Sequence, residues 1–316
     1  MKRFLKYVIC FFLPIAVVAF CLEMIARSAP NPYKYKYEWM QAHAKEVNTL
    51  VFGSSHTFEG IRPEYLSGTA FNLANYAQGF QHDLYLLKYW ADKYEELKVV
   101  IYPISYLTWP YGGVTEDNES YRCRYYKIYM DCDMYSSFSK YNFELSDLYA
   151  TRHKLLRMLR SDDSEGSMCS EYGSDNTNLL SEKNLKAWND TAVAAKRAQR
   201  HTRNDSRQVK ENYEIMTEIA SFCRDHSIHL VIVTTPCWKT YIQHLDPKQL
   251  NEMYQLISRL QSEYQLIYLD YFNDNRFDAD DFYNCDHLSD KGAIKFTKIL
   301  NNDIQSQLSL KGEKNH

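Results

Sequence analysis

The sequence predicts an α/β fold, a three-layer αβα sandwich with a central parallel sheet. Short apolar runs suited to buried strands occur at 48–52 and 99–101. Between them, apolar residues recur at helical spacing at Leu84, Leu87, Ala91 and Tyr94. A strand–helix–strand order joins parallel strands, because two parallel neighbours need a long crossover connection.

The second half of the chain repeats this alternation. A helical stretch leads into a third strand at 229–234, and a fourth strand is predicted at 266–269. Asp246 as N-cap and Pro247 in the first helical position predict a helix between these two strands, and a last helix follows the fourth. The apolar faces of the three helices consist of Tyr213, Met216, Ile219 and Ala220, then Leu250, Met253, Tyr254, Ile257 and Leu260, then Ala293, Phe296, Leu300 and Ile304.

The N-terminus is typical of a membrane anchor. Lys2, Arg3 and Lys6 precede an apolar run at 8–22 that only Pro14 interrupts. We interpret residues 1–27 as an uncleaved signal anchor, a transmembrane helix with its basic end in the cytoplasm. A secretory signal cleaved near 26–28 and a buried helix are the alternatives. With an anchor, the rest of the chain lies on the periplasmic or extracytoplasmic side.

The remainder divides into four predicted segments. Residues 28–47 are polar and form a tether, residues 48–308 form the α/β domain, and residues 309–316 are a polar tail. A tyrosine-rich insertion interrupts the domain at about 106–205, and residues 161–182 are expected to form a flexible loop. The tyrosines of the insertion suit packing over the sheet, and stacking on sugar rings is the alternative.

Charge and cysteine content exclude some functions. The 37 basic and 40 acidic residues give a net charge of −3 and form no basic stripe, so nucleic acid is not an expected partner. Two of the eight cysteines lie in the apolar run, and the other six allow up to three disulfides or remain free thiols. No cysteine pair has zinc-site spacing, and we expect neither a metal nor a cofactor.

Polar residues follow the first and the last predicted strands. The run Gly-Ser-Ser-His at 53–56 comes directly after the first strand, and Asp286 and His287 precede the last helix. Functional sites form at the carboxyl ends of parallel strands, so these two groups can meet. A serine hydroxyl needs a neighbouring base to become a nucleophile, which makes Ser55 a candidate nucleophile and His287 its base. A structural turn serine and a helix-capping histidine are the alternatives.

These residues resemble the blocks of the SGNH/GDSL hydrolase superfamily, whose fold is flavodoxin-like. The Gly-Ser-Ser run at 53–55 is similar to its Gly-Asp-Ser block, and Asp-His-Leu-x-x-x-Gly-Ala at 286–293 to its C-terminal histidine block. With the N-terminal anchor, the chain resembles the membrane-anchored envelope branch that includes DltD-like and alginate O-acetylation-like proteins. The resemblance covers roughly 48–105 and 228–305, and it implies that Ser55 is the nucleophile and His287 the base.

The chain departs from the family pattern at three places. Asn284 stands where the family has its carboxylate, so we expect Asp286, Asn284 or a backbone carbonyl to orient the imidazole. Gly79 is a shifted match to the glycine whose N–H binds the oxyanion, with Asn75 nearby. Ser105 stands near the family's oxyanion asparagine. His56 is expected on the substrate side or in a structural role.

The resemblance implies an exported serine esterase or O-acyltransferase that acts on acyl esters, with acetyl as the expected group, of a cell-envelope polysaccharide. The expected partners are that glycan, the membrane and a membrane-bound acyltransferase. The alternative is a catalytically degenerate SGNH-fold protein that binds glycan or helps to assemble a membrane acylation complex. The substitutions at Asn284 and Ser105 favour this alternative.

Overall fold

A computed structural model describes residues 1–160, 169–176 and 191–313. The chain folds as two compact units: an anchor unit, Met1–Tyr37 with Thr115–Met168, and a sheet unit, Glu38–Val114 with Cys169–His316. In chain order the described α-helices are α1 (Lys2–Ser28), α2 (Pro32–His43), α3 (Ser55–Gly60), α4 (Phe80–Tyr89), α5 (Cys123–Tyr129), α6 (Phe138–Tyr141), α7 (Leu148–Arg160), α8 (Thr191–His201), α9 (Ser206–Asp225), α10 (Lys239–Ile242), α11 (Pro247–Tyr264) and α12 (Asp290–Glu313).

The sheet unit contains a parallel sheet in the order β2-β1-β3-β4-β5. Its strands are β1 (Thr49–Val51), β2 (Ala70–Asn72), β3 (Val99–Pro103), β4 (His229–Thr234) and β5 (Ile267–Asp270). A two-stranded antiparallel ribbon, β6 (Phe282–Asn284) with β7 (His287–Leu288), follows β5. The predicted α/β fold with a parallel sheet is therefore confirmed. The edge strand β2 was not predicted, because three residues carry too little pattern.

Helices cover both faces of the sheet, which makes it the middle of three layers. Every residue of β1 and β3 is buried, as expected for parallel strands with helices on both sides. Alternate side chains such as Ile101 and Val233 share one buried cluster with Phe296 of α12. On the other face, α9 packs against α4, α11 and β4. The carboxyl ends of β1 and β3 are adjacent, and the chain leaves β1 in opposite directions to reach its two neighbours.

Several predicted boundaries differ from the structure. Residues 28–47, expected as a tether, include helix α2, whose Met40 is fully buried. The last helix extends to Glu313 and takes in part of the expected tail, while 314–316 lie outside the described residues. The expected loop at 161–182 falls mostly outside them too, at 161–168 and 177–182. Helix α4 buries Leu86 and Leu87 more deeply than the predicted Leu84.

The anchor unit begins with α1, a helix of 27 residues that is long and apolar enough to span a membrane or to act as a signal anchor. Pro14 lies within it, and its side chains are mostly exposed. All eight cysteines lie within the described residues and are free thiols, six of them buried. Burial without a bonded partner sulfur is the structural role that small apolar thiols commonly have.

Helix α11 begins as the sequence predicts, and this start gives a first testable expectation. The Asp246 carboxylate accepts hydrogen bonds from the backbone N–H groups of Lys248 and Gln249, each at 2.9 Å. We expect Asp246→Ala to lower the free energy of unfolding by about 1 kcal/mol, because two helix N–H groups lose their acceptor. Thermal unfolding in detergent measures this loss. Lys248→Ala, on the exposed side of the same turn, is the control and should leave the midpoint unchanged.

Candidate active site

A tight turn joins β1 to α3 and presents Ser55. Gly53 adopts a φ of +111°, a conformation that side chains other than glycine's rarely allow. Its N–H donates to the Asp83 carboxylate at 3.1 Å, and its carbonyl accepts from the Asn75 N–H at 3.2 Å. Ser54 is the N-cap residue and Ser55 the first residue of α3. The turn is thus bonded on both sides, which fixes the direction of the Ser55 side chain.

The structure brings Ser55 and His287 together. His287 Nε2 lies 2.9 Å from Ser55 Oγ, which is hydrogen-bond distance for a hydroxyl and an imidazole nitrogen. The two residues are 232 positions apart in the chain, and the β6–β7 ribbon places the imidazole over the end of β1. This contact is the geometry that a nucleophile and its general base require.

The other imidazole nitrogen faces two acceptors at equal distance. His287 Nδ1 lies 3.2 Å from Asp286 Oδ1 and 3.2 Å from Asn284 Oδ1. Asn284 Oδ1 also accepts the backbone N–H groups of Asp286 and His287, at 3.1 and 3.0 Å. Asn284 therefore shapes the turn between the two ribbon strands, while Asp286 supplies the negative charge. Both residues proposed to orient the imidazole are in contact with it.

A charged cluster surrounds Asp286, whose side chain is fully buried. Arg197 Nη1 donates to its Oδ1 at 2.6 Å. On the Oδ2 side, His56 Nε2 lies at 3.5 Å and His201 Nδ1 at 3.8 Å. Arg197 and His201 belong to α8 in the insertion, and the sequence reasoning missed both. No spacing pattern points to them, because only the tertiary fold places α8 beside the ribbon.

This cluster shifts the titration of its members in opposite directions. Burial raises the pKa of Asp286, but His287, His56 and Arg197 outweigh burial and hold it well below its usual range. Burial lowers the pKa of His287, and the Asp286 carboxylate, helped by Glu59, turns the net shift upward. Burial lowers the pKa of His201 to about 4. Asp286 is thus a carboxylate at neutral pH, and its charge makes His287 a stronger base.

His56 does not lie where a substrate-side residue would be. It is 4% exposed, and its ring centroid lies 4.7 Å from that of His287. Burial lowers its pKa, so the ring is neutral at neutral pH. Neither ring nitrogen has a hydrogen-bond partner within the described part of the chain. The prediction assumed strand geometry at Ser55, whereas α3 starts there and turns His56 inward, toward Asp286.

The predicted oxyanion donors are occupied elsewhere. The Ser105 hydroxyl lies 3.1 Å from Thr108 Oγ1 and accepts the Thr108 N–H, so it belongs to a local turn. Asn75 Nδ2 donates to Gln78 Oε1 at 2.9 Å and to the Leu73 carbonyl at 3.4 Å, which uses both of its hydrogens. Gly79 is the N-cap residue of α4. Among the predicted donors, the Ser55 N–H remains, because the first helical N–H has no intrahelical acceptor.

Asp83 is a further buried carboxyl that the sequence reasoning missed. Besides Gly53, it accepts from Tyr102 Oη at 2.7 Å and Gln78 Nε2 at 2.5 Å. Burial raises its pKa to about 7. It links β3 and α4 to the turn before Ser55. An acidic residue at helical spacing from Leu86 and Leu87 was the signal that could have revealed it, since such a residue must find partners in the core.

The donor atoms of His56, Asp286 and His287 lie within 4.8 Å of one another, and these residue types bind metals. Two contacts make a metal a poor fit here. Arg197 brings a positive charge to Asp286 at 2.6 Å, and the other nitrogen of His287 faces Ser55. A hydrogen-bonded nucleophile and base account for the same atoms without an added cation.

The chain matches no protein-family model and no curated protein. Among solved structures, it is similar to a GDSL-like lipase from Bacteroides thetaiotaomicron, with a TM-score of 0.42 and 7% sequence identity, over 88% of this chain and 100% of that one. Because the likeness is this distant, function has to be inferred from the geometry of the site.

The turn before Ser55 gives a prediction with a matched control. A Cβ at Gly53 would lie 2.2 Å from Pro103 Cγ, at a φ that disfavours it. We expect Gly53→Ala to cost at least about 2 kcal/mol of stability and to displace Ser55. At Gly60, the other end of α3, an added Cβ meets only Leu288 Cδ1, at 3.7 Å. Gly60→Ala should retain the melting temperature and the reactivity of Ser55, and equal losses in both variants would contradict the argument.

Proposed function

We propose that the chain is a serine esterase or O-acyltransferase of the SGNH type, with Ser55 as nucleophile and His287 as base. The 2.9 Å contact between Ser55 Oγ and His287 Nε2 carries the proposal. Asp286 and Asn284 support it, because each places an oxygen 3.2 Å from the other imidazole nitrogen.

The reaction follows from these positions. Ser55 Oγ attacks the acyl carbonyl carbon while neutral His287 takes the hydroxyl proton at Nε2. The negative charge of Asp286 stabilises the resulting imidazolium, and the Ser55 N–H donates to the developing oxyanion. His287 then returns the proton to the leaving alcohol, and the acyl group stays on Ser55. Water or a second alcohol, activated by His287, accepts the acyl group and restores the serine.

The finer assignment extends this proposal. We assign the acyl donor or acceptor to a cell-envelope polysaccharide and the acyl group to acetyl. The apolar helix α1 supports a membrane-held enzyme, because such an enzyme meets substrates at the cell envelope. The domain then faces the periplasmic or extracytoplasmic side, and a membrane-bound acyltransferase is the expected protein partner.

A second candidate is a catalytically degenerate member of the same fold that binds glycan or assembles an acylation complex. The bonds of Ser105 to Thr108 and of Asn75 to Gln78 favour it, because they leave the oxyanion without side-chain donors from these positions. Loss of one such donor typically lowers a rate about 100- to 1,000-fold. Slow turnover would agree with the first candidate, and a complete lack of reactivity with the second.

A fluorophosphonate probe tests the proposal, because it reacts with activated serines. We expect stoichiometric labelling of the wild type and none of Ser55→Ala. Ser54→Ala is the matched control, since the Ser54 hydroxyl is buried and, within the described residues, has no hydrogen-bond partner. Folded wild-type protein that stays unlabelled would refute the esterase and leave the degenerate module.

A further inference from the structure

Four large apolar side chains of the anchor unit are exposed outside α1. Phe138 is 69% exposed, Phe143 43%, Leu148 70% and Tyr149 74%, and we call them the apolar rim. They lie on one short stretch of the chain, and the Phe138 and Phe143 rings are 6.0 Å apart edge to face. Single exposed apolar residues are normal on soluble proteins, but a group of this size on one segment indicates a contact surface.

Hydrogen bonds fix the rim segment to the end of α1. The Glu23 carboxylate accepts from the N–H groups of Glu144 and Leu145, at 3.0 Å each. Arg27 donates to Glu23 at 2.6 Å and to the Asn142 carbonyl at 2.5 Å. Glu23 is 8% exposed, so its charge is satisfied inside the unit. The rim is therefore held at a defined height on α1.

That height is the boundary of the hydrocarbon layer. The apolar run of α1 ends at Leu22, and Glu23 is the first charged residue after it. A helix rises about 1.5 Å per residue, so the rim segment joins α1 within one turn of the end of the run. On the outward side of the same turn, Met24 is 50% and Ile25 47% exposed. The apolar surface thus continues from α1 toward the rim.

Helix α7, which starts with two rim residues, has the composition of a membrane-surface helix. Its sequence contains no acidic residue, and Arg152 and His153 are exposed. Lys154 is the described cation that pairs inside the unit, at 2.9 Å from Glu144. Helices with an apolar side and a basic side lie in the plane of the headgroups, where the basic groups face lipid phosphates. Aromatic rings also concentrate at this depth.

We propose that the apolar rim is a second membrane contact, which inserts into the headgroup region of the phospholipid bilayer that α1 spans. The anchor unit then lies against the bilayer through α6, α7 and the turn between them, instead of hanging from a single helix. This contact is independent of the proposed esterase activity. It fixes the orientation of the anchor unit to the membrane plane.

Tryptophan depth measurements test this contact in the full chain. Leu148→Trp and Phe143→Trp are reconstituted in phosphatidylcholine nanodiscs, with bromine absent, near the headgroups or deep in the acyl chains. The wild-type emission from its five tryptophans is subtracted. We expect lipids brominated near the headgroups to quench most of the added emission and deeply brominated lipids to quench less, because the rim lies at the boundary.

Asn118→Trp is the matched control, since Asn118 is exposed in a polar loop of the same unit. Its added emission should be insensitive to brominated lipid. Rim variants that are quenched no more than Asn118→Trp would overturn the proposal. All three sites are exposed or at the surface, so folding is retained, and an unchanged melting temperature verifies it.

Discussion

Replacing Ser55 by alanine is expected to lower the rate of aryl acetate hydrolysis at least about 10⁴-fold. The reason is the 2.9 Å contact with His287, since the hydroxyl that this base activates is then absent. Initial rates with p-nitrophenyl acetate in detergent measure the loss. Ser54→Ala, which removes the neighbouring buried hydroxyl, should retain the wild-type rate.

A sharper form of this prediction uses His287→Ala and the double variant. Because the two side chains act as one unit, removing both should cost about as much as removing either. His226→Ala, at an exposed histidine, is the control for histidine removal and should leave the rate unchanged. Costs that add in the double variant would show that Ser55 and His287 do not cooperate in the reaction.

The pairing of Ser55 with His287 and the parallel sheet could be predicted because local patterns carry them. Apolar runs, an N-cap aspartate and polar residues at strand ends all lie within a few neighbouring positions. The catalytic role of the pair stays a prediction until reactivity is measured. The short strand β2 and the helix α2 lacked such patterns, since a three-residue strand and a polar helix acquire their structure from tertiary packing.

The environment of the site depended on tertiary contacts, and the sequence reasoning missed it for that reason. Arg197 reaches Asp286 from α8, 89 positions away. Asp83 bonds Tyr102 and Gly53, which lie in other elements. His56 was misplaced because the chain direction changes at Ser55, where a strand-like alternation was assumed. Strand ends thus reveal which residues meet, and only the packed fold reveals the charges around them.

Asp286→Asn is expected to lower the rate of ester hydrolysis about 10²- to 10⁴-fold and to move its pH dependence. Imidazole acts as a base only when it is unprotonated, so the rate rises with pH through the pKa of His287. That pKa is raised above 6.5 because the Asp286 carboxylate outweighs burial. Without this charge the pKa falls, and the half-maximal rate moves to lower pH. Asn284→Ala should move it less, because a neutral amide has no charge to withdraw.

Arg197 provides the opposite test on the same base. Its positive charge lowers the pKa of His287, while its contact with Asp286 helps to keep that carboxylate ionised. Arg197→Met keeps the length of the side chain and removes the charge, so the half-maximal rate should move to higher pH. Arg200→Met, at an exposed arginine of the same helix, should cause no shift. Shifts of the same sign in Asp286→Asn and Arg197→Met would exclude His287 as the titrating base, because opposite charges must displace its pKa in opposite directions.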